Sequence, residues 1–569
     1  VSVHRVMGLE TEYGVLAPNA PRANSTVLSA RVVNAYADVV RAEGGELAGT
    51  PWDYSDETPL IDARGWKVRR SEADPTQLTD APRELTAEEI ALIDAVPQNA
   101  LYDVDARSAR SSSRAADHLG DAMYREEPES TNDAGGRLGS DHVVMNMVLG
   151  NGARLYVDHA HPEYSSPEVS NPLDAVIWDQ AGDRVVLAAM QRIAAENDGE
   201  VLLYKNNTDN KGVSYGAHEN YLMPRATDFN AIAAGLLPFF ATRQVVCGAG
   251  RVGLGMTGNQ TGFQISQRAD FFEAEVGLET TIRRPLVNTR DEPHAVWEKY
   301  RRLHVIAGDA NLGQVSTYLR VGTTALVLSL IEAGRAPAIA LADPVSAVAR
   351  ISHDPGLRTV VELADGRRLT ALEVQEIYLD AATAWCAETG SGSADPQTRD
   401  VLHRWRTTLD GLRSDVSSMA STVDWVAKHQ LMSQYRDRHG IGWSDPRIAA
   451  MDLQWADLRP EKGLFRRLEA HGRVERLVSE ERIASAVVVP PEDTRAYLRG
   501  RSLERYRQHV VGANWDSVVF AVPGRRGVKR IPLLEPARGT RRDIGALFDA
   551  QLDIAEFVDQ LAAQDGPSA

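Results

Sequence analysis

The sequence predicts an α+β fold made of a large domain followed by a smaller C-terminal one. Three observations carry this reading. At 569 residues the chain exceeds what one ordinary core serves. After residue 142, short strand-like stretches and long helical ones follow one another. The segment from about 490 onward mixes short strands with a closing helix.

The elements follow in order. His4 to Val15 is the first strand candidate and holds Met7-Gly-Leu-Glu-Thr-Glu-Tyr-Gly14; a helix over Thr26 to Glu43 stops at Gly44-Gly45. From about Leu47 to Asp141 the text turns rich in charge, Ser, Gly and Pro, and only Leu85 to Ala95 has helical character. A stretch this long reads as an insertion, functional or partly flexible, in a domain that resumes at His142. Val143 to Leu149 and Ala153 to Asp158 form a hairpin across Gly150-Asn151-Gly152. Pro172 to Glu196 is a helix with proline at its first position. Val201 to Lys205 and Ser214 to Met223 are strand-like. Helices are expected over 228–247, 294–302, 316–333 and 370–389, and residues 400–485 read as largely helical. Short strands at Val518 to Val522 and Arg530 to Leu534 precede a closing helix from Asp543 to Leu561. The division is therefore 1–485 with the 47–141 insertion, then 490–569.

Composition narrows the function. Hydrophobic residues at 43% and charged residues at 25% describe a chain with ample core. A net charge of −17 argues against a generic nucleic-acid binder, whose affinity rests on neutralising phosphates. No unbroken apolar run approaches a membrane span, and the polar N-terminus lacks a signal-peptide core, so the expectation is cytoplasmic, with no membrane partner. Cys247 and Cys386, far apart, are expected as reduced core residues. Against this acidity, Arg525, Arg526, Lys529, Arg530, Arg538, Arg541 and Arg542 cluster near the end, either a solvated loop or a dock for an acidic partner.

Four strand-like segments place polar residues two apart with apolar residues between: Glu10 and Glu12; Arg154, Tyr156 and Asp158; His218 and Asn220; Arg302 and His304. In a strand, residues i and i+2 share a face. One such pair is what any half-exposed strand gives. The residue types are more telling, because carboxylates and histidines hold a hard cation while arginine neutralises phosphate. The combination points to a metal–nucleotide site on a sheet face, and GxxxxGK[ST] is absent. Asp158 ends its strand, with Glu163 five residues on, where a carboxylate can act as nucleophile or general base. His159 and His161 with a nearby Glu leave a zinc hydrolase open as another reading. Gly248 to Gly255 reads as a turn, since no βαβ unit supports a dinucleotide loop.

These residues carry a resemblance. Gly8-Leu-Glu-Thr-Glu-Tyr-Gly14, Asn151 to Tyr164, Lys205-Asn-Asn-Thr-Asp209, Ser214 to Tyr221, Asn288 to His294 and Tyr300 to Asn311 resemble the Pup ligase/depupylase family, across nearly the whole chain outside the insertion. The resemblance implies a glutamine-synthetase-like large domain of the carboxylate–amine superfamily, with a curved antiparallel sheet cradling ATP and Mg²⁺, and a small C-terminal domain. Val157-Asp-His-Ala-His-Pro-Glu163 and the long insertion are similar to the depupylase branch. Carried over by motif, Glu10, Tyr156, Glu163, His218 and His304 would surround the metal. Arg154, Ser166, Asn220, Arg302 and Trp515 would contact ATP, and Asp158 would be the catalytic aspartate. The implied activity is nucleotide-dependent hydrolysis at the C-terminal Gln/Glu of Pup: deamidation, and cleavage of the isopeptide bond to a lysine. Pup and pupylated proteins would be the partners. The alternatives are a ligase that forms that bond with ATP consumption and a non-catalytic Pup-binding adaptor.

Overall fold

Seven short strands in the computed structural model build one sheet, and the order in which they pair positions everything else. The structure describes residues 2–42, 50–54, 57–67, 144–196, 199–281, 283–390 and 395–564. Most of the expected insertion, including the helix read over Leu85 to Ala95, lies outside the described residues. The strands are β1 (Met7–Glu12), β2 (Thr50–Pro51), β3 (Asn146–Val148), β4 (Arg154–Asp158), β5 (His161–Ser165), β6 (Ala217–Pro224) and β7 (Tyr300–Val305). They pair in the order β7-β6-β1-β5-β4-β3-β2, every neighbouring pair antiparallel. The hairpin between β3 and β4 closes where the sequence placed it, with Gly152 at φ 81°, a left-handed conformation that costs glycine little.

The period of two divides the sheet into a packed face and a polar one. Met7, Leu9, Tyr221, Met223, Leu303 and Val305 point backward into the main core. Helices cover that face: α1 (Ser25–Ala42), α2 (Pro172–Ala195), α3 (Phe229–Cys247) and α4 (Gln314–Glu332). Met147, Leu155 and Tyr164 pack in a second cluster with α1 and the later turns of α2. α2 starts as its sequence dictates, with Asn171 accepting from the Asp174 amide at 3.0 Å and proline at the first turn. The same device opens the helices at Pro344, Pro396 and Pro446, each preceded by a capping aspartate.

α3 falls where a helix was expected, over 228–247. It is long enough, and at mean hydropathy 1.2 apolar enough, to cross a membrane, but 78% of that window is buried inside the protein. It is the core helix behind the sheet, and its Arg243 donates from both terminal nitrogens to Glu219 of β6 at 2.8 and 2.9 Å.

Two helix expectations are corrected. No helix spans 294–302; instead Tyr300–Val305 is β7, held by pairing with β6, a non-local ladder that overrides local helical propensity. The closing helix is two, Arg541–Asp549 and Ile554–Gln564, broken where Gln551 is left-handed (φ 53°) and Asp553 accepts from the Glu556 amide at 2.9 Å. Around them a three-stranded sheet, β8 (Val510–Ala513), β9 (Ser517–Phe520) and β10 (Lys529–Pro532), packs a third hydrophobic cluster that includes Trp52 and Val148 from the N-terminal half. Cys247 and Cys386 are free and buried.

Because Glu219 and Arg243 are 0% and 2% exposed at their side chains, removing Arg243 leaves the buried Glu219 with only the Tyr221 hydroxyl at 2.6 Å and the more distant Arg320 at 3.9 Å. Arg243→Met is expected to lower unfolding free energy by about 3–5 kcal/mol in chemical denaturation, and the double variant with Glu219→Gln to recover part of it. A loss of under about 1 kcal/mol would show the pair to be dispensable.

Candidate active site

The register of the sheet gathers the polar residues of five strands on its open face. Across β5, β1 and β6, Ser165 lies opposite Glu10 and Glu10 opposite His218; across β4, β5 and β1, Tyr156 lies opposite Glu163 and Glu163 opposite Glu12. On the far edge Asn220 of β6 faces His304 of β7. Residues separated by up to about 300 positions become neighbours through pairing alone.

Two groups of possible cation ligands result. In each, one ligand atom per residue lies within 4.8 Å of the others: Glu10 with His218 and His304, and Glu12 with Asp158 and Glu163. The five residues expected around a metal are thus brought to one face but divided, Glu163 standing in the second group. Tyr156 hydrogen-bonds Glu163. Glu12 was visible as the partner of Glu10 two positions on, yet it was not assigned to the metal; the signal was the alternation itself.

Hydrogen bonds orient the first group. The Asn220 amide nitrogen donates to Glu10 at 2.8 Å, which turns its oxygen toward Arg302 and His304, at 3.0 and 2.9 Å. That oxygen only accepts, so His304 carries its proton on Nδ1 and keeps a lone pair on Nε2. Burial holds His304 well below the ordinary histidine range, and a neutral imidazole is the ligand form. Burial would raise Glu10, but the hydrogen bond from His218 and the nearby Arg302 outweigh it and hold the carboxylate well down.

The second group is unevenly compensated. Glu12 takes the Gly216 amide at 2.6 Å and lies 3.1 Å from His161, and against its burial these bring it to about 2. Glu163 is pushed well above the carboxylate range, by burial first and then by Asp158, Glu10 and Glu12; its Oε1 finds no donor among the described residues. A side chain at Gly216 would collide with the His218 ring, so glycine is required there. Asp158 accepts from, or shares a proton with, His159 Nδ1 at 2.8 Å. His159 and His161 do not converge on one point: His159 sits at a turn with φ 52° and meets Asp158, while His161 meets Glu12 and stacks on Tyr215. The zinc reading therefore has no HxH ligand pair to rest on.

Two arginines missed at the sequence level flank these carboxylates. Arg268 is 1% exposed, with Nε and Nη1 unpartnered among the described residues; burial and Arg284 lower it to about 9, and Glu12 opposes. Arg290 is lowered by burial, lies near Glu292, Arg302, Glu10 and Asp158, and leaves Nε unpartnered among the described residues. Neither belongs to an alternating pair; Arg290 lies inside the Asn288–His294 motif, which was the one signal that could have found it, and Arg268 lies in none of the quoted motifs.

Beside the first group opens a cleft lined among others by Leu9, Glu10, Ser166, Asn220, Arg302 and Trp515. Trp515 enters from the C-terminal segment. The Ser166 hydroxyl accepts from the Leu9 amide at 2.9 Å, fixing the wall. Arg154 of β4 donates Nε to Asn146 at 3.0 Å. The basic segment at 525–542 is partly compensated within the chain: Arg525 pairs with Asp559, Arg530 with Asp53 and Arg541 with Glu492.

Comparison with known proteins identifies relatives of the whole chain. A protein of Acidothermus cellulolyticus named depupylase is 47% identical over 558 residues, covering 98% of this chain and 99% of its own. A Mycobacterium tuberculosis protein named Pup deamidase/depupylase is 46% identical over 568 residues, covering 99% of this chain and 100% of its own. Among solved structures, the crystal structure of Pup in complex with its ligase PafA superposes with TM-score 0.70 at 28% identity, covering 100% of this chain and 96% of that one. PafA in complex with ADP gives TM-score 0.66 at 33% identity, covering 76% of this chain and 98% of that one. The family model described as Pup-ligase protein matches residues 5–519, and the chain belongs to that family.

Proposed function

We propose that this protein hydrolyses the amide at the C-terminal Gln/Glu of Pup, deamidating the glutamine form and cleaving the isopeptide bond that joins Pup to a lysine. The observation that carries the reading is the polar sheet face, with Asp158 at its rim beside two ligand groups, in a chain similar over its full length to proteins named depupylase. Both reactions break an amide at the same γ-carbonyl, so one site serves both. The reading includes the division into a catalytic part, 1–485, and a small C-terminal domain from 490.

The donor set fits Mg²⁺ and ATP. Glu163 Oε1 lacks a donor among the described residues, His304 keeps a lone pair, and crowded carboxylates gain most from a hard cation. Glu10, His218 and His304 would hold one ion, and Glu12 and Glu163 would face a second, with Tyr156 steadying Glu163. A relative solved with ADP supports a bound nucleotide, and Arg302, Asn220, Ser166, Trp515 and Arg154 would contact it. When bound, the cations supply charge that polarises the amide carbonyl. Asp158 either attacks that carbonyl, forming a mixed anhydride that water then hydrolyses, or takes the proton of a water that attacks it. As the C–N bond breaks the nitrogen takes up a proton and leaves as ammonia or the lysine amine, and the carbonyl carbon ends as a carboxylate. Arg268 and Arg290 stabilise negative charge that develops nearby, an effect of roughly 3–4 kcal/mol for a well-placed donor. Amide hydrolysis is already downhill, so the nucleotide acts as a bound cofactor rather than a fuel.

Asp158→Asn is expected to abolish release of Pup from a pupylated substrate while ADP affinity stays within about twofold. Retained release in that variant would remove Asp158 from the chemistry. If the unmodified protein instead attaches glutamate-ended Pup to lysine with ATP consumed, it is a ligase.

Cation binding gives a second test. Between the ordinary carboxylate range and its raised value, Glu163 holds a proton in the folded, cation-free protein that the unfolded chain lacks. Stability from this group therefore falls as pH rises, and a cation that replaces the proton stabilises more at higher pH. The shift in melting midpoint caused by Mg²⁺ is expected to be larger at about pH 8 than at about pH 6. A pH-independent shift would contradict the assignment of Glu163 as ligand.

A further inference from the structure

The segment between β2 and Lys67 does more than lead into the insertion. Trp52 lies at the junction of three parts of the molecule: it bridges to Ala513 of β8, its indole nitrogen donates to Glu57 at 2.7 Å, and its ring meets Trp515 edge-on, with centroids 5.1 Å apart and planes at 69°. The Arg154 guanidinium carbon sits 4.0 Å from the Trp52 ring centroid and 3.9 Å from that of Tyr156. Both faces of the guanidinium are therefore covered by aromatic rings.

A planar cation stacked on both faces can bind only at its edge. Arg154 commits Nε to Asn146, and its nearest carboxylate is Glu57 at 4.0 Å. Asn146 is itself held by the Tyr54 hydroxyl, on the same strap as Trp52. On the other side of the stack, the Arg499 guanidinium lies 4.9 Å from the Trp515 ring, and Arg499 pairs with Glu168. The run Arg499–Trp515–Trp52–Arg154–Tyr156 is a continuous cation–aromatic ladder from the C-terminal segment to the strand that carries Asp158.

We propose that Trp52 is a positioning residue that, with Tyr156, clamps the plane of Arg154 so that its free edge meets an anionic group of the bound nucleotide, and that it ties this clamp to Trp515. The proposal rests on the reading of Arg154 as a nucleotide contact. A loose arginine samples many rotamers and loses that freedom on binding; a stacked one has already lost it.

The test is calorimetric titration of ADP with Mg²⁺ into the full chain and its Trp52→Leu, Trp52→Phe, Arg154→Ala and Trp52→Leu/Arg154→Ala variants. Leucine keeps apolar bulk without a π face, and phenylalanine restores the face. Arg154→Ala and Trp52→Leu are each expected to weaken ADP binding by on the order of tenfold, Trp52→Phe by less than about threefold, and the double variant no more than Arg154→Ala alone. Normal binding by Arg154→Ala would overturn the nucleotide reading of that residue and the proposal with it. Weak binding by Arg154→Ala with normal binding by Trp52→Leu would overturn the positioning role alone. Additive losses in the double variant would mean that Trp52 acts on the ligand independently of Arg154, which also overturns it.

Discussion

Four carboxylates crowded on one sheet face impose the constraint that the rest of the molecule answers. Two unit charges about 4 Å apart repel by roughly 4 kcal/mol at the effective dielectric of a protein surface, and here several such pairs coexist. The structure relieves this unevenly. Glu10 is held by Asn220, His218 and Arg302; Glu12 by the Gly216 amide and His161; Glu163 is left to keep its proton. A face arranged so is costly without positive charge and well suited to receive it.

Such a face needs a rigid back. Behind β6, Glu219 and Arg243 form a fully buried pair. Behind β1, the same function falls to Lys205, 2.8 Å from Asp179 and 3.1 Å from Asp183 of α2, where Thr11 and Tyr13 also donate to the two aspartates. The strands that carry Glu10, Glu12, His218 and Asn220 are thereby fixed to helices by buried polar contacts, whose geometry is less forgiving than apolar packing. The C-terminal segment is joined to the same face from the side, through Trp515 in the cleft wall and through Arg495 and Arg499 on Glu168.

The strands bearing the site were legible because alternation is a local signal, and the Pro172 start of α2 was legible because a first-turn proline is local too. Tyr300 to Val305 shows the limit: read once as the end of a helix and once as an alternating pair, it was decided by β6 lying beside it. The closing helix broke at Gln551, where no glycine or proline gives warning. Glu12 was seen but left unassigned, since nothing in the chain says that Glu163 comes to lie opposite it. Arg268 and Arg290 lie outside the alternating pairs, and only the folded arrangement brings them beside the carboxylates.

By itself, then, the sequence determined which residues share a strand face, because the period of two is set by the backbone of each strand alone. Through shared motifs it also pointed to the family. Only the tertiary structure decided that the carboxylates and histidines expected around one metal fall into two groups able to hold a cation, that the arginines at 525–542 are partly spent on internal pairs, and that Trp52 stacks on Arg154. The order β7-β6-β1-β5-β4-β3-β2 sets those distances, and it depends on contacts between segments far apart in the chain, whose register no local pattern encodes.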